Sequence, residues 1–479
     1  MTMVRKGDVL ELPILDTAEE DACVGRLPEG MVVFVRGQVT PGDVVSATVT
    51  KIKKNYLEAR YERLITPSPD RVAPVCSHYG VCGGCKWQHV AYPRQMAFKH
   101  KLVQDTLQRV GGFAGFDVLP VRGAPDAYHY RNKVDFTFSN ERFILDEELD
   151  VAPEQRTKPS DFALGFHRPR CFNKIIDIDR CHIATDLSSG VLEQTRRFFL
   201  AHPHPAYSTF THEGFLRNLV IRHAGITGQC MVNLITSWHE PDLMRAYADR
   251  LLDAFPGQLT TIINSTTARK NLVAYGEVSH VLHGSGQIVE ELDGLTFVIS
   301  PNSFFQTNSR QALALYRTVA EMAQLRPDDV LYDLYCGTGS ITLFAGRACR
   351  RAVGFELEPS AVADAVINAE RNGMADRCTF VATDMKHLHA AMNSTGHRPD
   401  VVITDPPRAG MHEDAVATLR SLAPRRIIYV SCHPGSLARD AKALCEGGLY
   451  RLTAVQPVDL FPQTFHIESV ACLERTTGG

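Results

Sequence analysis

The spacing of hydrophobic positions changes along this chain and predicts three regions of different structure. In the first region, short apolar runs alternate with turn sequences such as Pro28-Glu29-Gly30 and Thr40-Pro41-Gly42. Apolar runs of this length between turn residues are typical of strands. The predicted strands lie at residues 8–12, 31–35 and 43–49. We therefore predict a small OB-like β-barrel over residues 1–66.

The second region, residues 67–300, is predicted to be a mainly-β (α+β) domain. Strand-like runs occupy residues 133–138 and 228–234. A helix is expected at about residues 92–111, where apolar residues recur at helical spacing, and we expect it to pack on the C-terminal region. Residues 146–161 are acidic and nearly free of apolar side chains, which indicates a surface loop with a mobile tip.

In the third region, helical patterns alternate with short apolar runs that finish in polar residues. The runs lie at residues 330–334, 352–356, 401–405 and 426–431. Such runs are typical of buried parallel strands, and in parallel sheets ligands bind at the carboxyl ends of the strands. Residues 301–479 are therefore predicted to form an α/β, Rossmann-like domain.

Composition limits the class of protein. Of the 479 residues, 44% are hydrophobic and 22% are charged, as is ordinary for a globular protein. No apolar run approaches the roughly 20 residues of a membrane span, and the N-terminal residues lack the apolar core of a signal peptide. We expect a cytoplasmic, monomeric protein without a membrane partner. Thirteen cysteines without a secretory signal favour reduced thiols or metal ligands over a disulfide scaffold.

The net charge of −3 excludes a strongly basic protein but is compatible with a local basic patch. Such a patch follows the predicted barrel strands, and its members are Lys51, Lys53, Lys54, Arg60 and Arg63, with Tyr56 among them. Lysines also protect the exposed edge of a sheet, so a solvated edge strand is the alternative interpretation. On an oligonucleotide-binding barrel, the patch is suited to the phosphate backbone of a nucleic acid.

A glycine loop follows the first predicted strand of the α/β region. It runs from Asp333 to Ser340 with glycine at positions 337 and 339, and glycine lets the backbone approach a ligand closely. Glu356, at the end of the next strand, can accept both ribose hydroxyls of an adenosine. The loop lacks the third glycine of the dinucleotide fingerprint and the Gly-Lys-Ser/Thr of a phosphate loop. S-adenosylmethionine, which has no phosphate, fits better, and Asp384 is either a further adenosine ligand or a cap.

Three side chains near the C-terminus point to covalent group transfer. Cys432 ends a predicted strand just before a predicted helix, and a helix N-terminus favours the thiolate. Asp405 is held in a stiff bend by the two prolines that follow it. Glu468 is expected to share a strand face with His466 and, when partly buried, to have the raised pKa of a general base. Cys336 is a rival thiol, for which packing against the cofactor is the simpler interpretation.

A thiolate, a base and a methyl donor together suit the methylation of an unactivated ring carbon. The C5 atom of uracil is a weak nucleophile until another group adds at C6 and raises the electron density at C5. Cys432 is the candidate for that addition, and Glu468 is the candidate base for the C5 proton. Dividing one difficult step into easier ones in this way is nucleophilic catalysis.

The chain resembles the RNA uracil-C5 methyltransferases, which make 5-methyluridine. Motifs recur in family order: Ser303-Phe304-Phe305-Gln306-Thr307-Asn308, the 333–340 loop, Asp405-Pro406-Pro407-Arg408-Ala409-Gly410, Ser431-Cys432-His433-Pro434 and His466-Ile467-Glu468. The barrel, with Gly25-Arg26 and Val33-Phe34-Val35, resembles a TRAM domain. The resemblance implies that Cys432 is the nucleophile, that Glu468 is the base and that the substrate is a uridine flipped out of RNA. It implies that the cofactor and substrate pocket includes Gln306, Tyr335, Glu356 and Asp405, with Ser340 and Asp384 as further members.

A second group of cysteines, Cys76, Cys82 and Cys85, is too dense to be explained by packing. The spacing predicts a metal centre whose fourth ligand is Cys171 or Cys181, and structural zinc is the chemical alternative to an iron–sulfur cluster. The ribosomal branch of the resembled family holds a [4Fe–4S] cluster with this spacing, and the segment around Cys181 resembles the one with its last ligand. The resemblance therefore implies a cluster bound in the central domain, with a structural or RNA-positioning role.

These patterns leave several functions to be weighed. The first is S-adenosylmethionine-dependent methylation of uridine C5 in 23S rRNA by a protein with an iron–sulfur cluster. The nearest alternative is methylation of the T-loop uridine of tRNA. A non-catalytic RNA-binding or chaperone module is disfavoured by the pairing of Cys432 with Glu468. A radical enzyme is disfavoured because its usual Cys-x3-Cys-x2-Cys triad has a shorter first gap than the one in this chain.

Overall fold

The computed structural model describes residues 4–18, 22–169, 171–271 and 273–476. The chain forms two compact units, each built from separate stretches of sequence. The first unit comprises Met1–Pro125, Pro407–Gly410 and Ser431–Leu473, and the second comprises Asp126–Pro406, Met411–Val430 and Glu474–Gly479. The three domains drawn from the sequence stay a prediction, since both units are assembled from discontinuous segments.

The N-terminal part of the first unit is a closed five-stranded barrel, as predicted. Its strands are β1 Val9–Thr17, β2 Ala22–Arg26, β3 Val32–Arg36, β4 Val44–Ile52 and β5 Tyr56–Thr66, in the order β1-β2-β3-β5-β4. Strand β5 pairs with β3 on one side and with β4 on the other. Lys51 lies on β4, which pairs with β1 and β5, and Arg60 and Arg63 lie on β5. These members of the basic patch therefore do not lie on an unpaired edge strand, which was the alternative interpretation.

The sequence did not single out β2, because its five residues include a glycine. Gly25 lies against β1, and a Cβ atom at this position would be 2.3 Å from Cδ1 of Leu12. A side chain here would push β1 and β2 apart. The barrel core consists of alternating residues of its strands, among them Leu12, Val33, Val35, Val45 and Leu57.

The remainder of the first unit combines the predicted N-terminal helix with C-terminal elements. These are α1 Tyr92–Arg109, β6 Asp117–Val118, α9 Pro434–Cys445, β21 Tyr450–Val458 and β22 Glu468–Arg475. Strands β22, β21 and β6 lie side by side in that order, and α1 packs against α9. The first unit is thus completed by chain segments that are far apart in sequence.

The second unit contains a seven-stranded sheet with the order β13-β12-β11-β10-β7-β8-β9. The strands are β7 Lys133–Ser139, β8 Ala163–Arg168, β9 Cys171–Asp177, β10 Leu216–His223, β11 Cys230–Thr236, β12 Thr261–Thr266 and β13 Val278–His283. Two helices, α2 Asp186–Ala201 and α3 Pro241–Ala254, pack together. The rings of Phe138 on β7 and Phe199 on α2 are 5.7 Å apart, which shows the sheet face that the helices cover.

The acidic segment 146–161, predicted as a surface loop, is anchored by a buried arginine. Arg142 donates to both carboxylate oxygens of Glu148, at 2.7 and 2.8 Å. The same guanidinium donates to the carbonyl oxygens of Pro159 and Lys158. Because a bidentate pair fixes geometry as well as charge, both ends of this loop are held against the sheet.

The predicted Rossmann-like fold is confirmed in the second unit. Parallel strands lie in the order β18-β17-β16-β19-β20, and their bounds are β16 Val330–Leu334, β17 Arg351–Glu356, β18 Cys378–Ala382, β19 Val401–Thr404 and β20 Arg426–Ser431. The helices are α4 Ser309–Ala323, α5 Ser340–Gly346, α6 Pro359–Arg371, α7 Leu388–Ser394 and α8 Glu413–Leu422, and a hairpin joins β14 Ile288–Leu292 to β15 Leu295–Ile299. Strand order reverses between β16 and β19, where ligands bind in such sheets.

Helix α1 is the longest helix of the described chain at 18 residues. Neither it nor any other helix in the described ranges combines the length and the apolar character that crossing a bilayer requires.

Candidate active site

An open pocket with about 390 Å³ of space lies at the carboxyl ends of β16 and β19. Four of the predicted cofactor-pocket residues line it: Gln306, Tyr335, Ser340 and Asp405. The sequence did not single out Tyr316, whose hydroxyl donates to Ser340 Oγ at 3.0 Å. The reversal of strand order thus gathers residues that are about 100 positions apart in the chain.

The glycine loop after β16 owes its shape to left-handed backbone conformations. Tyr335, Gly337 and Gly339 have φ angles of 63°, 53° and 78°. A Cβ atom at position 339 would be 2.8 Å from the ring of Phe380, so glycine is required there. For Tyr335 the left-handed conformation costs about 1–3 kcal/mol, and this strain is located in the pocket wall.

Glu356 and Asp384 are not among the residues that line the pocket. Glu356 Oε2 accepts from the backbone N–H of Gly337 at 3.0 Å, and Oε1 accepts from those of Leu357 and Glu358. The carboxylate therefore braces the glycine loop, and its role toward ribose stays a prediction. Asp384 caps a short 3-10 turn, with Oδ1 accepting from the Lys386 N–H at 2.9 Å, as the alternative interpretation of this residue expected.

Two carboxyl groups of the pocket, those of Asp333 and Asp405, are weaker acids than usual. The pKa of Asp333 is raised to about 7, mainly by burial; the Thr342 hydroxyl opposes the shift by donating to Oδ2 at 2.5 Å, and the nearby charges of Asp405 and Glu356 add to it. Burial also raises the pKa of Asp405 to about 7. Because S-adenosylmethionine carries positive charge on its sulfonium and ammonium groups, the ionised carboxylates attract it.

The Asp405→Asn substitution is expected to change stability in a pH-dependent way. The unfolded carboxyl ionises near pH 3.9, whereas the folded group keeps its proton until about pH 7. Wild-type stability therefore falls as pH rises between these values, because the unfolded state binds fewer protons. The melting temperature of the ligand-free Asp405→Asn protein should therefore exceed that of wild type by more at pH 8 than at pH 5.

Thermal unfolding scans across this pH range check the expectation. The control is Asp242→Asn, since the Asp242 side chain is 99% exposed. A stability difference that does not vary with pH would contradict the assigned ionisation of Asp405.

Gln306 is held in place by an asparagine 174 residues away in the chain. Asn132 Nδ2 donates to the carbonyl oxygen of Gln306 at 3.0 Å and to Ser309 Oγ at 2.8 Å. Ser309 Oγ in turn donates to the buried carboxylate of Glu290 at 2.5 Å. The backbone N–H of Asn132 donates to the carbonyl oxygen of Thr307 at 2.8 Å. The sequence contains no signal that pairs Asn132 with this segment.

The Asn132→Ala substitution is expected to weaken binding of S-adenosylhomocysteine up to about tenfold. A hydrogen bond contributes roughly 0.5–1.5 kcal/mol, and without it the segment before α4 can shift in the pocket wall. The matched control is Asn140→Ala, because Asn140 makes two similar hydrogen bonds, both to Ala206. Titration calorimetry measures both proteins. Equal affinities in the two variants would show that Asn132 does not support the pocket.

In the first unit, Cys432 lies between the end of β20 and the start of α9. The His433 ring caps the helix by accepting from the Ser436 N–H at 3.1 Å. The Ser431 hydroxyl accepts from the His433 N–H and donates to the His433 carbonyl oxygen. Cys432 is therefore a partly exposed thiol on a braced turn just before a helix N-terminus, where the helix dipole favours thiolate.

The rival thiol is in a different environment. Cys336 is buried, and burial together with the charge of Asp333 raises its pKa well above the usual value. Burial likewise raises the pKa of Cys230 and Cys378 to about 12. A buried thiol with a raised pKa is a poor nucleophile, so the packing interpretation of Cys336 agrees with its surroundings.

Glu468 is the first residue of β22 and is 6% exposed. His466 precedes the strand, so the prediction that these two residues share a strand face is wrong. The His466 ring instead packs against Phe465, with ring centres 4.3 Å apart. The extended pattern in the sequence did not show that the loop continues to residue 467.

A buried polar network holds the loop that leads to Glu468. Lys99 of α1 and Asp459 form an ion pair at 2.6 Å, and both side chains are fully buried. The Tyr92 hydroxyl donates to the other oxygen of Asp459 at 2.8 Å. Gln95 Nε2 donates to Gln463 Oε1 at 3.0 Å, and the Gln463 N–H donates back to Gln95. Helix α1 therefore fixes the approach to the candidate base.

The predicted metal ligands are divided between the two units. Cys76, Cys82 and Cys85 lie in the first unit, whereas Cys171 and Cys181 lie in the second. All five are reduced and half-buried, and burial raises the pKa of Cys181. Within the described ranges, no three His, Cys, Asp or Glu side chains are arranged to hold a metal ion. The metal centre therefore stays a prediction, and the chemistry expected of Cys432 does not depend on it.

The basic patch of the barrel is partly neutralised by carboxylates. Lys51 pairs with Glu58 at 3.3 Å, Arg60 with Glu62 at 3.0 Å and Arg63 with Glu11 at 3.1 Å. Exposed pairs contribute only about 0–1 kcal/mol, so these cations can exchange their partners for phosphate.

Comparisons with known proteins agree with this architecture. A family model described as tRNA (Uracil-5-)-methyltransferase matches residues 259–476, and a TRAM domain model matches residues 4–61. An uncharacterized RNA methyltransferase of Chlorobaculum tepidum is 50% identical over 473 residues, which are 98% of this chain and 97% of that protein. Another, from Bacteroides thetaiotaomicron, is 41% identical over 464 residues, which are 95% of this chain and 99% of that protein.

A solved structure extends the similarity to the fold. The tRNA (uracil-54, C5)-methyltransferase of Pyrococcus abyssi, in complex with S-adenosyl-L-homocysteine, is similar with a TM-score of 0.73 and 29% identity. The match covers 97% of this chain and 100% of that one. The chain therefore belongs to the RNA methyltransferase family that the tRNA (uracil-5-)-methyltransferase model describes, and it carries a TRAM domain.

Proposed function

We propose that this protein methylates C5 of a uridine in 23S rRNA with S-adenosylmethionine as the methyl donor. The observation that carries the proposal is the pocket at the strand-order reversal, with Gln306, Tyr335, Ser340 and Asp405 in its wall. Its carboxyl groups suit a cationic donor. The proposal also rests on the partly exposed thiol of Cys432 and the buried carboxyl of Glu468.

In the proposed mechanism, the thiolate of Cys432 forms a bond to C6 of the uracil ring. The resulting enolate places electron density on C5, which takes the methyl group from the sulfonium of the donor. Glu468 removes the proton from C5, the C5–C6 double bond re-forms and the thiolate leaves. Atoms and charges balance, since the products are 5-methyluridine, S-adenosylhomocysteine and one proton on Glu468.

The burial of Glu468 supports its role as base, because the surrounding protein limits the movement of its side chain. The network around Lys99 and Asp459 keeps the preceding loop in one conformation. The capped turn at Cys432 presents the thiol near backbone N–H groups of the helix start. Each candidate group is thus supported by neighbours that limit its movement.

Methylation of the T-loop uridine in tRNA is the second candidate function. The Pyrococcus abyssi protein, which resembles this chain over nearly its whole length, is a tRNA (uracil-54, C5)-methyltransferase. The rRNA proposal instead rests on the spacing of Cys76, Cys82 and Cys85, which resembles the ribosomal branch. Both functions use the same chemistry at Cys432 and differ in the RNA that is bound.

One experiment separates these functions. The protein, purified without oxygen, is incubated with methyl-labelled donor and either unmodified 23S rRNA or unmodified tRNA, and 5-methyluridine is mapped in each. We expect label in 23S rRNA. Label in tRNA alone would select the second candidate, and label in neither would count against uridine methylation and leave RNA binding without catalysis.

The [4Fe–4S] cluster is a further part of the proposal, with Cys76, Cys82, Cys85 and Cys181 as its ligands. Its support is the density of the first three cysteines, which are reduced thiols on one stretch of chain. The chemistry needs no electron transfer, so a structural or RNA-positioning role is proposed. Metal analysis and absorption spectra of protein prepared without oxygen test it, and stoichiometric zinc without iron would overturn it.

A further inference from the structure

Arg222 on β10 is a buried cation that the protein leaves without a hydrogen-bond acceptor. The residue is 5% exposed, its side chain forms no hydrogen bond or ion pair with any residue in the described ranges, and its Nε atom is enclosed without a partner. Burial lowers its pKa to about 10, and Asp135 opposes this shift only in part. Buried guanidinium groups are normally paired, so this one is suited to an acceptor from outside the chain.

The local charges leave an excess of positive charge beside Arg222. Lys133 is its register partner on the neighbouring strand β7. Lys133 Nζ pairs with Asp135 at 2.9 Å, so two cations share one carboxylate. The Lys133 side chain is 28% exposed, which makes this end of the strand pair accessible.

The sheet face that carries Arg222 has further buried polar atoms without hydrogen-bond partners. Asn218 and Val220 lie on the Arg222 side of β10, because successive residues of a strand alternate between faces. Asn233 is the register partner of Val220 on β11. The Oδ1 atoms of Asn218 and Asn233 are buried without a donor. Phe138 and the helix α2 cover the opposite face. Donors and acceptors without partners therefore collect on the face away from the helices.

This end of β10 connects directly to the pocket wall. The N–H of His223, the residue after Arg222, donates to the carbonyl oxygen of Asn132 at 2.7 Å. Asn132 Nδ2 donates to the carbonyl oxygen of Gln306 at 3.0 Å. The unpaired cation is thus two hydrogen-bonded steps from a residue that lines the pocket.

We propose that Arg222, together with Lys133, binds a backbone phosphate of the substrate RNA next to the nucleotide that enters the pocket. The proposal rests on the proposed function, from which it takes RNA as the substrate. Guanidinium and phosphate make charge-assisted, bidentate hydrogen bonds.

The salt dependence of RNA binding tests the proposal. Each phosphate contact contributes about 0.7–0.9 to the slope of log K against log salt concentration. The Arg222→Gln protein should show a slope smaller by this amount, with the largest loss of affinity at low salt. Arg222→Lys keeps the charge and should keep most of the slope. Fluorescence anisotropy with a labelled fragment of unmodified rRNA, titrated with potassium chloride, measures it.

The control is Arg245→Gln, which removes an exposed arginine on α3, and this protein should retain the wild-type slope. Removal of an unpaired buried charge should also leave the melting temperature of Arg222→Gln unchanged or raised. A wild-type slope in Arg222→Gln would overturn the proposal. So would a lowered melting temperature with a parallel loss of S-adenosylhomocysteine binding, since this pair of results indicates a purely structural role.

Two further outcomes distinguish the RNA contact from a site for a free anion and from the proposed function. The first outcome is that inorganic phosphate competes with RNA for wild-type protein at matched ionic strength, while Arg222→Gln keeps the wild-type slope for RNA. This result would assign the site to a free anion and overturn the RNA contact. The slope is measured on binding alone. If wild-type protein binds RNA with the expected slope and methylates none, the proposed function fails while the phosphate contact stands.

Discussion

Replacement of Cys432 by alanine is expected to lower the rate of methyl transfer by about 10⁴-fold or more, as for other enzymes that lose their nucleophile. Without the thiolate, C5 of uracil stays too poor a nucleophile to take the methyl group. Single-turnover assays with labelled donor measure the change. Binding of S-adenosylhomocysteine should remain at the wild-type level, because Cys432 does not line the pocket.

The matched control for this prediction is Cys445→Ala, which removes another half-buried thiol at the end of α9. It should retain activity. Methyl transfer at a near wild-type rate by the Cys432→Ala protein would remove the covalent mechanism.

The Glu468→Gln substitution is expected to have a different effect, since it blocks the second half of the reaction. Cys432 can still add to C6 and C5 can still take the methyl group, but the C5 proton stays in place. The thiolate then cannot leave, so the protein and the methylated RNA remain joined. Turnover should fall by about 10²–10⁴-fold, the usual contribution of a general base.

Denaturing gels and mass spectrometry detect this joined species. The double variant with Cys432→Ala and Glu468→Gln is the control, because it lacks the thiol and should form no adduct. Normal turnover by the Glu468→Gln protein, or an adduct in the double variant, would contradict the assigned roles.

Local patterns in the sequence were sufficient for much of the fold. The α/β region is recognisable because each buried parallel strand is a continuous apolar run, and the polar residue at its end points to the ligand side. Asp405 and the 333–340 loop were found by this rule. Helix α1 was placed within two residues of its observed end, since its apolar residues follow helical spacing.

Residues that act through long-range contacts could not be found in this way. Asn132 donates a hydrogen bond to Gln306, which is 174 positions away in the chain, and Lys99 pairs with Asp459, which is 360 positions away. No local periodicity encodes such pairs, because they depend on how strands and helices are ordered in space. The lack of a hydrogen-bond acceptor for Arg222 is likewise visible only when all of its neighbours in the fold are known. His466 was misplaced because an extended loop and a strand have the same local pattern.

The contact between Lys99 and Asp459 has a consequence for folding during synthesis of the chain. Contacts of such sequence separation form late, since the chain between them must first be made and ordered. While the polypeptide is still emerging from the ribosome, Lys99 lacks the carboxylate that its buried position requires. The loop before Glu468 becomes ordered only when this pairing occurs. A nascent chain therefore lacks the support of its proposed base until the C-terminal segment with Asp459 has been made.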